Sequence, residues 1–124
     1  MSENPTRLNH DVYTGPYDAK YMARNRVRRW DEVSFTMQAQ ARNAPQYPQA
    51  PKMGFISPSQ RRFAKGYEHL YRRLSVRECA RIQTFPDNFR FLYSDVRNGY
   101  KMAGNAVPPR LAWYLAIQMK KAFV

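Results

Sequence analysis

Apolar and polar positions alternate over a short stretch near the middle of the N-terminal half. Val33, Phe35 and Met37 are interleaved with Ser34, Thr36 and Gln38, which predicts a short half-buried strand. Trp30-Asp31-Glu32 ahead of it reads as a turn. Met1 to Tyr17 is polar, with Thr14-Gly15-Pro16 as a breaker, and reads as loop or fraying terminus. Ala44 to Pro58 carries Pro45, Pro48, Pro51 and Pro58, so an extended loop is expected there. Ser75-x-x-Glu78 is a capping box, with Leu74 and Cys79 placed for a hydrophobic staple; the helix it starts should end near Gln83, because Pro86 follows. Asn98-Gly99 predicts a turn. Pro108-Pro109 opens a last helix in which Leu111, Leu115 and Met119 recur beside Ala112 and Ala116 as one apolar face. Lys120 and Lys121 complement the dipole at its end. That face wants a partner surface, and the chain has little else to offer it.

At 124 residues the chain is one small domain at most, or a piece of a larger one. No apolar run approaches the roughly 20 residues of a membrane span, and the N-terminus has no signal-peptide core, so a cytoplasmic protein is expected. Cys79 is the single cysteine, which excludes a disulfide framework; His10 and His69 have no companion spacing for a metal. The charge changes the picture more. A net +12 favours polyanions, since each phosphate contact releases condensed counterions. Charge alone leaves a ribosomal-type or nonspecific basic protein as open as a sequence reader.

Three stretches narrow this. Arg73-Leu74-Ser75-Val76-Arg77-Glu78-Cys79-Ala80-Arg81-Ile82-Gln83-Thr84-Phe85-Pro86-Asp87 resembles the ninth motif of the DNA cytosine-5 methyltransferases, a capped helix followed by Phe-Pro-Asp. Tyr100-Lys101-Met102-Ala103-Gly104-Asn105-Ala106-Val107-Pro108-Pro109 resembles their tenth and last motif. Upstream, Tyr21 to Glu32, then Phe35 to Ala39 and Arg42, is similar to the target-recognition region of bacterial enzymes that methylate within GGCC.

Physical chemistry fits these segments. Guanine offers two major-groove acceptors that an arginine fork matches, and Arg-x-Arg on an extended strand places both forks on one side. Arg24, Arg26 and Arg42 are therefore expected at bases with Asn25 nearby, and Arg28 and Arg29 at phosphates of double-stranded DNA. Gly104 permits a tight turn before the last helix. The resemblance implies that Asn105 and Ala106 lie near the amino-acid end of S-adenosyl-L-methionine. Arg77 and Glu78 are expected to be architectural.

The resemblance also implies an α+β piece: an irregular recognition region with short strands over residues 1–70, then two helices over 71–124 that complete a Rossmann-like methyltransferase domain. The family's chemistry needs a thiolate in a Pro-Cys context, a Glu in Glu-Asn-Val and a Gly-rich cofactor loop, and none of these occurs here. Cys79 follows Glu78 in the capped helix and is read as a packing residue. The chain alone is expected to be inactive, and to depend on a catalytic methyltransferase subunit within a bacterial or phage restriction–modification or related system. A split subunit, a fragment and a degenerate gene product all satisfy this. The competing class is a noncatalytic DNA-binding remnant or regulator.

Overall fold

A computed structural model describes residues 8–123 of the protein. Irregular backbone with short 3-10 turns (Tyr21–Ala23, Ala41–Asn43) leads to a two-stranded antiparallel hairpin, then a third 3-10 turn (Glu68–Leu70) and the helices. The hairpin is β1 (Gly54–Ser57) and β2 (Gln60–Arg62), paired Gly54 to Arg62 and Phe55 to Arg61, with Pro58-Ser59 at its turn. The helices are α1 (Val76–Ile82), α2 (Val96–Asn105) and α3 (Pro109–Ala122). The architecture is a small α+β arrangement, with three helices after residue 71 where two were expected.

The α1 boundary follows from local chemistry. Ser75 Oγ accepts from the Glu78 amide at 3.1 Å, and the Ser75 amide donates to Glu78 Oε2 at 2.7 Å. Leu74 and Cys79, the two ends of the expected staple, are both buried in one core. Two further orphan amides of the first turn are satisfied from far away in sequence: Val76 N donates to Asp11 O (3.1 Å) and Arg77 N to Asn9 O (2.7 Å). Residues 9–16 are therefore irregular but tied down, not fraying; residues 1–7 of the expected N-terminal loop lie outside the described residues.

Asn98-Gly99 is not a turn. Both residues lie inside α2, which Asp95 caps by accepting from Arg97 N at 2.9 Å. The glycine serves packing: a Cβ at Gly99 would come within 2.6 Å of Tyr93 Cε1 and 2.9 Å of Val76 Cγ2. The α2 face that carries Tyr100 and Ala103 completes the main core with Met37, Ala41, Ala44, Leu74, Val76, Cys79, Ala80 and Phe91. That core draws on both sides of residue 70.

The expected strand at Val33 to Gln38 is also absent. A strand needs a ladder partner, and this segment has none among the described residues; Val33 is 88% exposed, Met37 is buried, and Phe35 carries the Arg28 guanidinium at 4.2 Å from its ring centre. Regular pairing appears instead at the end of the proline-rich stretch, past Pro51, where β1 begins. A smaller cluster of Val27, Ala50, Met53 and Tyr71 supports it. Gln46 is threaded between Val27 and Arg73 through isolated bridges, parallel on one side and antiparallel on the other.

α3 stands apart. None of its residues is buried, and Leu111, Trp113, Tyr114, Leu115 and Met119 are each more than half exposed. Its base is held by Thr84, whose Oγ1 accepts from Arg110 N at 3.0 Å while its own backbone sits at φ 67. A β-branched residue in that region is strained, so the contact is held against a backbone cost.

Candidate nucleic-acid interface and cofactor edge

The 3-10 turn Tyr21–Ala23 delivers Arg24 to the surface and Arg26 inward. Arg24 is exposed, while Arg26 is 6% exposed and its Nε and Nη2 donate to Tyr21 O (2.9 Å) and Lys20 O (3.1 Å). Its guanidinium also lies over the Tyr21 ring, 4.6 Å from the centre. Burial, and then the neighbouring Arg24 charge, hold its pKa below the usual arginine value. Much of the Arg26 fork is thus engaged by the fold, and the two arginines do not present equivalent forks. Both still line one cleft of about 280 Å³, together with Thr36, Gln38 and Asn43. Asn43 Nδ2 donates to Gln38 Oε1 and Gln40 Oε1, both at 2.9 Å, so the floor is a set of fixed amides.

Asn25 has a structural task. Its Oδ1 accepts from Val27 N (3.3 Å) and Met53 N (3.0 Å), and its Nδ2 donates to Val27 O (2.7 Å). The side chain fixes the Arg24–Arg26 loop to the smaller core. Arg42 is exposed on the 3-10 turn Ala41–Asn43. Arg28 stacks on Phe35; Arg29 is exposed and pairs with Asp31 at 3.3 Å, an exposed ion pair that contributes little to stability.

Sequence reasoning passed over Arg73. It is 1% exposed and has no carboxylate partner among the described residues; its guanidinium donates to Arg42 O (3.2 Å), Tyr13 O (3.3 Å), Gly15 O (2.7 Å) and Pro16 O (3.0 Å) among the rings of Tyr13, Tyr17 and Tyr21. It thereby ties the turn bearing Arg42 to the N-terminal segment. Arg77, fully buried, does the same with Leu8 O (3.0 Å) and Pro86 O (3.3 Å), which is an architectural placement. Arg77 was expected to be architectural; no local pattern marks Arg73, since its carbonyl partners are remote.

At the other end, Asn105 is the last residue of α2 and is exposed; Ala106 follows in extended backbone. Asn105 lines an open cleft of about 520 Å³ with Tyr93, Ser94, Asn98, Lys101 and Met102. Gly104 does not form a turn before the last helix; it lies within α2, at a close approach to the 38–39 backbone. Cys79 is 3% exposed, and burial pushes its thiol up to about 12, which leaves it a poor nucleophile. Among the described residues no group of His, Cys, Asp and Glu could hold a metal, and no helix is long and apolar enough to cross a membrane.

This chain is similar to the Type II methyltransferase M.MthTI of Methanothermobacter thermautotrophicus, 56% identical over 119 residues, covering 96% of this chain and 36% of that protein. It is 51% identical over 113 residues to M.FnuDI of Fusobacterium nucleatum, covering 91% and 33%, and 52% identical over 119 residues to M.NgoPII of Neisseria gonorrhoeae, covering 95% and 35%. The chain spans about a third of the length of these curated relatives. The model of the C-5 cytosine-specific DNA methylases matches residues 2–121, nearly all of the clefts and cores above. The chain belongs to the C-5 cytosine-specific DNA methylase family.

Proposed function

We propose that this chain is the target-recognition and C-terminal portion of a DNA cytosine-5 methyltransferase. Joined to a catalytic part, it serves transfer of a methyl group from S-adenosyl-L-methionine to C5 of cytosine within GGCC in double-stranded DNA. The observation that carries this reading is the pairing of an arginine-lined cleft at Arg24 and Arg26 with the exposed edge at Asn105, on one shared core. Residues 1–70 do the reading, and residues 71–124 complete a Rossmann-like methyltransferase domain supplied by the catalytic part.

Arg24 and Arg42, both exposed, take guanine edges, and Arg26 adds its remaining donors from the cleft wall. Asn25 holds the loop in register. Arg28 and Arg29 take phosphates. The cofactor supplies the methyl group. On this chain, the Asn105 and Asn98 amides with the Lys101 ammonium form a donor set that suits the carboxylate end of an amino acid, with Ala106 alongside. The apolar residues of α3, Leu111, Leu115 and Met119, dock on the catalytic part.

The test is reconstitution. The chain is mixed with a methyltransferase part carrying the Gly-rich loop, the Pro-Cys and the Glu-Asn-Val, and labelled methyl transfer to GGCC duplexes is followed. Activity in the mixture and none in either part is the expected result. Two folded parts that stay inactive together on every DNA, while this chain still binds DNA, would favour a noncatalytic DNA-binding regulator.

A further inference from the structure

A two-stranded hairpin on its own is marginal in water, and β1–β2 is held from outside its ladder. The Tyr71 hydroxyl accepts from Ala64 N at 3.0 Å and donates to Pro51 O at 2.8 Å, so one group ties the chain entering β1 to the chain leaving β2. Phe63 stacks on the Tyr71 ring, centres 4.3 Å apart. Met53, the residue before β1, donates its amide to Asn25 Oδ1 at 3.0 Å, and β2 packs against the 3-10 turn that leads into Arg24. The hairpin and the Arg24–Arg26 loop therefore form one body.

The surface held in this way is basic. Residues 51–67 contain Lys52, Arg61, Arg62 and Lys65 and no acid. Lys52 is committed to Glu32 at 3.1 Å, whereas Arg62 and Lys65 are exposed and have no carboxylate partner among the described residues. Arg61 is preset: its guanidinium lies 4.6 Å from the centre of the exposed Phe55 ring, and its Nη1 donates to Ser57 O and Gln60 O. An open cleft of about 580 Å³ separates the hairpin from the 3-10 turn, with Arg61 and Arg62 on its wall. Asp18 is the one acid lining it, and its Oδ1 is already engaged by Tyr21 N at 2.7 Å. An apolar protein face laid here would strip water from Arg62 and Lys65 without pairing them. A polyanion pairs both and leaves them hydrated.

We propose that the hairpin is a second contact for the duplex, gripping its sugar–phosphate backbone through Arg61, Arg62 and Lys65 while the Arg24–Arg26 loop faces the bases. The proposal rests on the DNA-reading function above and adds a contact that carries no sequence information. Connectivity assigns it to the same duplex. Arg62 pairs with Gly54, the neighbour of Met53, and Met53 is bonded to Asn25. Summed over those steps, the Arg62 backbone lies within about 15 Å of Asn25, the length of about four base pairs.

The experiment measures binding of the full 124-residue chain to labelled duplexes by fluorescence anisotropy as salt rises fourfold. Arg62→Gln/Lys65→Gln keeps most of both stems and removes two charges. It should weaken binding to GGCC and unrelated duplexes by the same factor. Its slope of log affinity against log salt should be smaller by about 1.8, so the gap to wild type narrows about tenfold over that range. Lys65→Gln alone, at a turn where no ladder bond is at stake, should give half the change in slope. Lys120→Gln/Lys121→Gln removes the same charge from the end of α3 and should leave the slope at the wild-type value. Thermal transitions verify the folding of all three. An equal fall in the α3 control makes the effect one of net charge and overturns the proposal. An unchanged slope in the hairpin variants overturns it too, leaving those charges as guards of an exposed sheet edge. A loss confined to GGCC would make them base readers, and normal DNA binding with failed reconstitution of methyl transfer would make the catalytic part the occupant; both refute the backbone contact. In each of these the DNA-reading function stands. No binding of the wild-type chain to any duplex sinks that function, and this contact with it.

Discussion

Replacing Gly104 by alanine tests how the proposed cofactor edge and the proposed recognition segment are coupled. A Cβ there would lie 2.6 Å from Ala39 N, 2.6 Å from Gln38 C and 2.7 Å from Ala39 Cα. All three are backbone atoms, so no rotamer change relieves the clash, and ordinary contact requires the 38–39 segment to retreat by about 0.8 Å. Overpacking of this kind costs about 1–3 kcal/mol. Alanine regains up to about 1 kcal/mol of helix propensity, less near a helix end. The expected net destabilisation is about 1–2 kcal/mol. With a urea m-value of about 1–3 kcal/mol/M, the unfolding midpoint should fall by roughly 0.3–2 M with m unchanged. Because Gln38 lines the same cleft as Arg24, preference for GGCC over unrelated duplexes should fall as well. Gly66→Ala is the control: nothing lies within 4 Å of its Cβ, and its φ of 86 carries only a backbone penalty, so sequence preference should be untouched. A Gly104→Ala protein as stable as wild type, with intact preference, would refute the close-approach reasoning.

Tyr100→Phe should cost about 1–3 kcal/mol in chemical unfolding, since its buried hydroxyl donates to Leu74 O at 2.6 Å and accepts from Tyr13 N at 3.0 Å, and the variant strands both. Burial works against the Glu78 carboxylate, but the Arg72 fork at 2.8 Å and the Ser75 amide outweigh it and hold its pKa below the ordinary 4.5. A depressed folded-state pKa gives stability that is present above the unfolded value and lost as pH falls through the folded one. The stability gap between wild type and Glu78→Gln, followed by denaturant unfolding, should therefore be constant above about pH 5 and shrink below about pH 4. A gap that widens in acid would reverse that assignment. Leu115→Glu on α3 should change the stability of the isolated chain by less than about 0.5 kcal/mol, yet prevent reconstitution of methyl transfer. Normal activity with this variant would remove α3 as the docking face.

What could be read from the sequence was chemistry that acts over a few residues. Ser75 and Glu78 close their box within one turn, and Pro108-Pro109 sets the start of α3, so both helices were visible in advance. Asn98-Gly99 misled because the turn propensity of Asn-Gly is local, whereas the fit of Gly99 against Val76 and Tyr93 depends on distant chain. The alternation at residues 33–38 is met only at Phe35 and Met37, without a ladder, and Val33 is left exposed. At the recognition segment the cluster of arginines was evident; which of them are buried was not. Arg26 is engaged by carbonyls a few residues upstream, whereas Arg73 and Arg77 depend on carbonyls reached only after folding.

The turn at residues 84–89 has a bearing on how the proposed catalytic part could be attached. Leu8, the first described residue, is held through Arg77 to Pro86, and the base of α3 is held to Thr84 on the same turn. Leu8 and the base of α3 thus meet at one place, while Phe123, the last described residue, lies at the far end of the helix. On the proposed reading, a catalytic part gripping the base of α3 would sit beside Leu8, so a tether there would need few residues to span the gap. Short tethers of this kind give effective concentrations near millimolar, so a covalent and a two-chain enzyme can share one interface and differ only in how strongly it must bind.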